Sequence, residues 1–261
     1  GFVHQAALDK LVALAHSHSL LCVDDLGSGA LLDTARFGMS HEPTVQESLA
    51  TGVDLTCVSG DKLLGSVQAG IILGKKTQVD ILKRHPLTRA LRVSKIVLAG
   101  LQATLLHYVR GAALEQVPVW RMISMDLAQI DSRASSLVNW LQEEGVQAQV
   151  THGTSTVGGG SLPGETMPTR LVAIEVAKPD ELAQKLRLGT QPVVGRIEND
   201  AFLLDLRTVL PSEEEDLRQA NDQLVHSLVE LEHRNRELVA LTEMGDMLQI
   251  CASVHEAYAI V

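Results

Sequence analysis

Two short stretches decide the fold: LLCVDDLGSG, Leu20–Gly29, and VDLTCVSGDK, Val53–Lys62. Each is a brief apolar run that ends in a carboxylate or a lysine beside glycine and serine. Wholly apolar runs of this length, bounded by turn residues, read as strands buried on both faces. HQAALDKLVALAHSH (4–18) precedes the first, with Ala7, Leu8, Leu11, Val12, Leu14 and Ala15 on one helical stripe. A second helical stretch, 43–51 and closed by Gly52, lies between the two strands. AGIILGKK (69–76) adds a third strand, and a long helix is expected over 93–110. Helices alternating with buried strands define an α/β domain with a mostly parallel sheet. Ligands gather outside the carboxyl ends of such strands, where DDLGSG and SGDK both fall.

Working outward, residues 120–210 read as a smaller α+β unit. Its expected elements are a helix over 126–144, strands over 145–150 and 170–176, and a helix over 179–188. PVVGRI and AFLLDL flank a turn at Glu198–Asp200 and read as a hairpin. THGTSTVGGGSLPGETMP (151–168) reads as a Gly-rich loop. The domains expected are therefore 1–116, a partial large domain, and 117–211, a small one. Beyond Pro211, Leu217, Leu224, Leu231 and Leu238 recur every seven residues, with Asn221, Leu228 and Asn235 on the same seam. That heptad predicts a coiled-coil helix over 212–240, started by a capping box at Ser212 and Glu215.

The 261 residues carry a formal charge of −10. The average conceals two compositions, because residues 1–211 hold 19 basic and 21 acidic side chains and the last 50 hold 3 and 11. Between Lys75 and Lys95 stand seven basic residues and one acid, Asp80. A nucleic-acid backbone therefore remains an admissible partner for the first part. The chain has no apolar run long enough to span a membrane and no signal-peptide layout at its start. Cys22, Cys57 and Cys251 are odd in number and far apart, which suits reduced thiols in a cytoplasm. The histidines show no metal-ligand spacing, so no metal is expected.

Lys62 sits in a polar turn straight after a buried strand, where partial desolvation can free an amine for carbonyl chemistry. The bland alternative is a surface lysine in a turn, as a helix cap or turn carboxylate is for Asp25. Together, a lysine at one strand end and a carboxylate at the neighbouring one suit pyridoxal phosphate. The lysine would hold the aldehyde and the carboxylate would keep the pyridine nitrogen protonated. Arg89 and Arg92, three apart, would share a helix face and could grip a phosphate by forked hydrogen bonds.

The motifs DLGSG (25–29), EPTVQESLATGVDL (42–55), SGDKLLG (59–65), QAGIILGKK (68–76), HPLTRALR (85–92), GGGSLPGETMPTRLVA (158–173) and FLLDLRTVLP (202–211) occur in this order. Over about 210 residues they resemble the bacterial selenocysteine synthase family, the L-seryl-tRNA(Sec) selenium transferases. The resemblance implies the C-terminal half of a fold-type-I, aspartate-aminotransferase-like pyridoxal-phosphate domain, then a small α+β domain and a long C-terminal helix. It implies Lys62 as the cofactor-bearing catalytic lysine, with Asp61 assisting the chemistry. Asp25, or less directly Asp24, would be the partner of the pyridine nitrogen. Arg89 and Arg92 would bind the phosphate end of selenophosphate, and seryl-tRNA(Sec) would be the other substrate. Family members assemble as homo-oligomers. Where the family reads LLGGPQAG this chain has LGSVQAG, with Ser66 and Val67 in place of Gly and Pro. The family's N-terminal region has no counterpart here, so the chain reads as a C-terminal part. LVALTEMGDMLQICASVHEAYAIV (238–261) resembles the helix leading into the GAF domain of bacterial sensor proteins, a start at 241–261 joined to the synthase part. Two other functions are open at this point: a relative acting on a small free amino acid, and a non-catalytic scaffold carrying the coiled coil.

Overall fold

A computed structural model describes residues 6–158, 160–189, 191–210, 213 and 239. The coiled-coil expectation, its capping box and the GAF-like segment lie outside these residues but for two positions. In chain order the elements are α1 (Leu8–Ser17), β1 (Val23–Gly27), α2 (Val45–Ala50), β2 (Leu55–Ser59), β3 (Gly70–Gly74), α3 (Lys76–Arg84), α4 (Pro86–Ala90) and α5 (Lys95–Val109). There follow α6 (Ala113–Gln116), α7 (Pro118–Ser124), α8 (Leu127–Glu143), β4 (Ala148–Thr156), β5 (Thr166–Glu175), α9 (Pro179–Arg187), β6 (Arg196–Glu198) and β7 (Ala201–Asp205). The fold is the expected mixture of α/β and α+β parts.

The contacts divide the chain into two compact units, 1–125 with 154–167 and 126–153 with 168–261. The first holds the three-stranded sheet β1-β2-β3. β1 and β2 are parallel, as a strand–helix–strand crossover through α2 requires. β3 is antiparallel to β2, so the sheet is mixed where a mostly parallel one was expected. The cause is the connection: residues 60–69 form a tight turn with no helix to carry the chain back to the sheet's other end. Thr44 starts α2 with a capping box shared with Glu47. One carboxylate staples the edges of this sheet, since Asp54 accepts from Lys75 Nζ at 2.8 Å, from the Cys22 amide at 2.8 Å and from His16 Nε2 at 3.0 Å. Those contacts, the lysine's first, hold its carboxyl far below the usual carboxylate range.

The apolar stripe of α1 is buried only at Val12, while Leu11 and Leu14 stay exposed. α5 begins two residues later than expected, at the Ser94 cap, and is apolar nearly all round, with Ile96 84% and Val109 83% exposed. Both helices carry more apolar surface than the described residues cover.

The second unit is a four-stranded sheet of order β4-β5-β7-β6. β5–β7 and β7–β6 are antiparallel, and the predicted hairpin is present with Glu198 opposite Ala201. Its two turn residues, Asn199 and Asp200, both adopt left-handed φ (51° and 59°), the pairing a type I′ turn demands. Ile130, Ala134, Leu137, Val138 and Leu141 form the buried stripe of α8. Several pack with Val172, Ile174, Leu182, Phe202 and Leu204 into one core. The closing FLLDLRTVLP motif is part of that framework. Asp205 Oδ1 accepts from Thr169 Oγ1 and the Arg207 amide, and Arg207 Nη2 donates to the Pro168 carbonyl at 2.7 Å.

Phe202 is fully buried and Leu91 is 77% exposed. Phe202→Ala is expected to cost about 3–5 kcal/mol in urea unfolding, and Leu91→Ala within about 0.5 kcal/mol of nothing.

Candidate active site

Successive side chains of a strand point to opposite faces, and β1 uses this to separate its two carboxylates. Asp24 faces α2, where its Oδ2 accepts from Ser48 Oγ at 2.5 Å. The same hydroxyl lies 2.8 Å from Oγ1 of fully buried Thr56. Asp25 takes the opposite face, is exposed, and stands in register with Cys57 of β2. Burial, and next the charges of Asp25 and Asp24, push the Cys57 thiol up from its ordinary value. Asp24 is thus tied into the framework, and Asp25 presents its carboxylate from the open side.

Beyond these strands two turns meet. The Leu63 amide donates to the Ser28 carbonyl at 2.9 Å, joining the lysine turn to DLGSG. Gly29 is left-handed (φ 69°), and a β-carbon there would fall 2.7 Å from the Ser59 carbonyl oxygen, so only glycine lets the turns approach. The lysine turn closes on itself through Gly65 N to Lys62 O at 2.9 Å and Ser66 N to Gly60 O at 2.8 Å. From behind, Trp120 Nε1 donates to the Leu63 carbonyl at 2.7 Å, and Tyr108 Oη donates to the Leu64 carbonyl at 2.8 Å. The Lys62 side chain is partly buried, and among the described residues nothing hydrogen-bonds or ion-pairs with its amine. Its Nζ stands 3.6 Å from where a β-carbon on Gly27 would sit and 3.8 Å from one on Gly160.

Gly160 belongs to the Gly-rich loop, which on sequence is weak evidence for anything. In the structure 154–167 belongs with the first unit. Leu162 and Met167 join the buried cluster of Ala30, Leu63 and Trp120. Glu165 anchors the loop by accepting from Ser40 Oγ at 2.6 Å. The part of the loop that strand pairing absorbs is larger than expected, since β4 runs on to Thr156. Three buried hydroxyls around these turns, on Ser28, Ser66 and Ser161, have no hydrogen-bond partner among the described residues. A buried polar group without a partner costs roughly 1–3 kcal/mol, so a cluster of them suits a place that a polar ligand completes.

Asp61 is exposed beside Lys62 and accepts from Ser59 Oγ at 2.6 Å. Arg89 and Arg92 are both exposed, but they do not share a helix face. α4 stops at Ala90, Leu91 is its C-cap, and Arg92 lies in the non-helical link to α5. At the LGSVQAG departure, Val67 packs on α5, 3.0 Å from where a Gly100 β-carbon would be, while the Ser66 hydroxyl is one of the orphans. Among the described residues no cluster of His, Cys, Asp and Glu could hold a metal, and no helix is long and apolar enough to cross a membrane.

Sequence reasoning missed Tyr108 and Trp120, which carry no motif and whose partners are main-chain carbonyls 44 to 57 residues away. It also missed a cluster in the loop after DLGSG. His41 Nδ1 lies 2.8 Å from Asp33 and its Nε2 3.2 Å from Glu47. Asp33 also caps a short 3-10 turn (Thr34–Phe37), and Glu47 completes the α2 box, so one imidazole bridges two caps.

This α/β fold, with its lysine turn and Gly-rich loop meeting near Gly27, is shared with a solved enzyme structure. The solved structure of a D-glucosaminate-6-phosphate ammonia-lyase superposes with a TM-score of 0.52 at 18% identity, covering 86% of this chain and 54% of that one. Sequence comparison fixes the family, because the SelA family model, L-seryl-tRNA selenium transferase, matches residues 1–210. The chain belongs to the L-seryl-tRNA selenium transferase family. Over 214 residues it is 40% identical to the L-seryl-tRNA(Sec) selenium transferase of Alkaliphilus metalliredigens, covering 80% of this chain and 46% of that protein. Over 217 residues it is 44% identical to that of Geobacter sulfurreducens, covering 80% and 47%. The chain thus spans about half the length of the curated relatives it matches.

The His41 bridge makes a pH-dependent contribution. The hydrogen bond to Asp33, and then the charge of Glu47, raise the imidazole above its ordinary 6.5. Asp33 and Glu47 are lowered, the former chiefly by His41 and the latter chiefly by the Thr44 amide. A raised histidine stabilises fully below its unfolded value and ceases to do so as pH climbs through the folded one. His41→Asn is therefore expected to lower Tm most between the carboxylate range and pH 6.5, with the difference from the unsubstituted chain shrinking toward pH 9. A Tm difference independent of pH would refute the bridge.

Proposed function

We propose that this chain forms part of a pyridoxal-phosphate-dependent transferase that converts seryl-tRNA(Sec) to selenocysteinyl-tRNA(Sec) with selenophosphate. The single observation that carries the proposal is Lys62. Its amine has no partner among the described residues, and it is held where the DLGSG turn, the strand end of β2 and the Gly-rich loop converge. Family membership and the relatives' names supply the substrate class.

The residues present fit pyridoxal phosphate. Lys62 would hold its aldehyde, and Asp25, exposed at the strand end and free of the Ser48 contact that occupies Asp24, would face its pyridine nitrogen. The orphan hydroxyls of Ser28 and Ser161 follow directly on the two glycines that flank Nζ. When bound, the cofactor supplies an electron sink for the carbanion at the seryl Cα. The chain's own groups do the rest. Lys62 Nζ is the base placed to move a proton at the seryl Cα. Asp61, kept exposed by its hydrogen bond to Ser59, assists at the same turn. Arg89 and Arg92 offer exposed guanidinium groups to the phosphate end of selenophosphate. The basic run from Lys75 to Lys95, exposed on α3, α4 and the start of α5, would meet the tRNA backbone. The reaction belongs in the cytoplasm, where its tRNA substrate is made, and the protein acts as a homo-oligomer.

Borohydride reduction of the chain incubated with pyridoxal phosphate, followed by peptide mapping, is expected to place the label on Lys62. Lys62→Ala should abolish it, and Asp25→Asn should weaken loading at least tenfold where Asp24→Asn does not. Seryl-tRNA(Sec) should protect Lys62 from the label, and uncharged tRNA should not. A label spread evenly over surface lysines, or undiminished in Lys62→Ala, would overturn the proposal.

A further inference from the structure

Lys62 is the third residue of a turn that β2 cannot position by pairing, because the strand ends at Ser59. The turn's two innermost residues, Leu63 and Leu64, are buried. Among the described residues, main-chain bonds satisfy the amide of Leu63 through Ser28 but not the carbonyls of Leu63 and Leu64. The acceptors are instead met by side chains from two helices distant in sequence. Trp120 of α7, fully buried, gives its indole N–H to Leu63 at 2.7 Å. Tyr108 of α5 gives its hydroxyl to Leu64 at 2.8 Å, with a longer contact of 3.4 Å to Leu63. Burial raises the Tyr108 phenol well above its ordinary value, which keeps its hydroxyl a donor at neutral pH.

The same helical segment closes the turn sterically. Gly65 is left-handed (φ 70°), and a β-carbon there would lie 2.3 Å from Val117 Cγ1 and 2.8 Å from Val119 Cγ1. Phe37 packs its ring against Trp120 with centroids 6.0 Å apart, so the indole is itself held from the DLGSG side. The turn therefore has one main-chain tether, to Ser28, and two side-chain tethers, from Trp120 and Tyr108.

We propose that Trp120 and Tyr108 are positioning residues, whose hydrogen bonds to the Leu63 and Leu64 carbonyls fix the lysine turn and so set where Lys62 Nζ stands between Gly27 and Gly160. Neither touches the reacting atoms. The inference rests on Lys62 being the cofactor lysine, and its test separates the two. Trp120→Phe and Tyr108→Phe keep a ring and remove the donor; Phe37→Leu loosens the packing and keeps both donors. In the full chain with pyridoxal phosphate, two quantities are followed: the rate of borohydride-trapped label at Lys62, relative to the exposed Lys83 in the same digest, and the induced circular dichroism of the bound cofactor. Each donor-deleting variant is expected to slow labelling at Lys62 about tenfold, the effect of one lost neutral hydrogen bond, and to diminish the induced signal. Phe37→Leu should lower Tm while leaving both quantities in place. Folded variants that label within twofold of the unsubstituted chain would overturn the inference, as would an equal loss in Phe37→Leu. If Trp120→Phe does not fold, Tyr108→Phe decides, since its ring is only partly buried. If the unsubstituted chain carries no label at Lys62, the cofactor proposal falls and this inference with it. A label at Lys62 with rates unmoved in the variants overturns the positioning role alone.

Discussion

One main-chain hydrogen bond, from the Leu63 amide to the Ser28 carbonyl, organises the functional end of this molecule. It joins the two turns that follow the parallel strands, and it can form only because Gly29 admits the Ser59 carbonyl where a side chain would block it. With the turns joined, Lys62 Nζ stands 3.6 Å from where a β-carbon on Gly27 would sit, two residues beyond Asp25 at the end of β1. The same bond places Leu63 in the buried cluster with Trp120, Leu162 and Met167. That cluster in turn seats the Gly-rich loop beside Nζ. Chemistry at the sheet's edge therefore depends on apolar packing beneath it.

The strand alternation of β1 solves a second problem. Two adjacent carboxylates at one strand end would repel if they shared a face, and each would be a candidate for the same task. The pleat sends Asp24 to Ser48, whose hydroxyl also meets that of Thr56, and the hydrogen bond from Ser48 compensates its partial burial. Asp25 stays exposed on the opposite face. A residue pair that looks redundant in sequence is divided into a structural member and a presenting member.

Much of this was legible in the sequence, for identifiable reasons. Short apolar runs ending in Asp, Lys and Gly specify strands, and β1 and β2 fall where those runs stand. β2 is largely buried as expected, whereas β1 is half-exposed, with Val23 54% exposed, because nothing among the described residues covers its outer side. The Asn199–Asp200 turn and the α8 stripe were equally plain, since turn chemistry and helical period are local properties. The direction of β3 was not legible, because connection length after Lys62 outweighs strand composition. The shared face of Arg89 and Arg92 failed because α4 ends at Ala90 and a second helix starts only after the Ser94 cap. Tyr108 and Trp120 were invisible because a donor aimed at a distant main-chain carbonyl leaves no pattern along the chain. The Gly-rich loop could be noticed, but its place beside Lys62 depends on Leu162 and Met167 being buried, a tertiary fact.

The central claim is that DLGSG, the lysine turn and the Gly-rich loop form one ligand site. Hydrogen exchange of the backbone amides, followed by mass spectrometry with and without pyridoxal phosphate, tests it directly. The account predicts that protection on adding the cofactor is confined to residues 25–30, 59–66 and 158–165. Protection of one of these segments without the others, or an equal slowing across the second unit's β5 and β7, would contradict it.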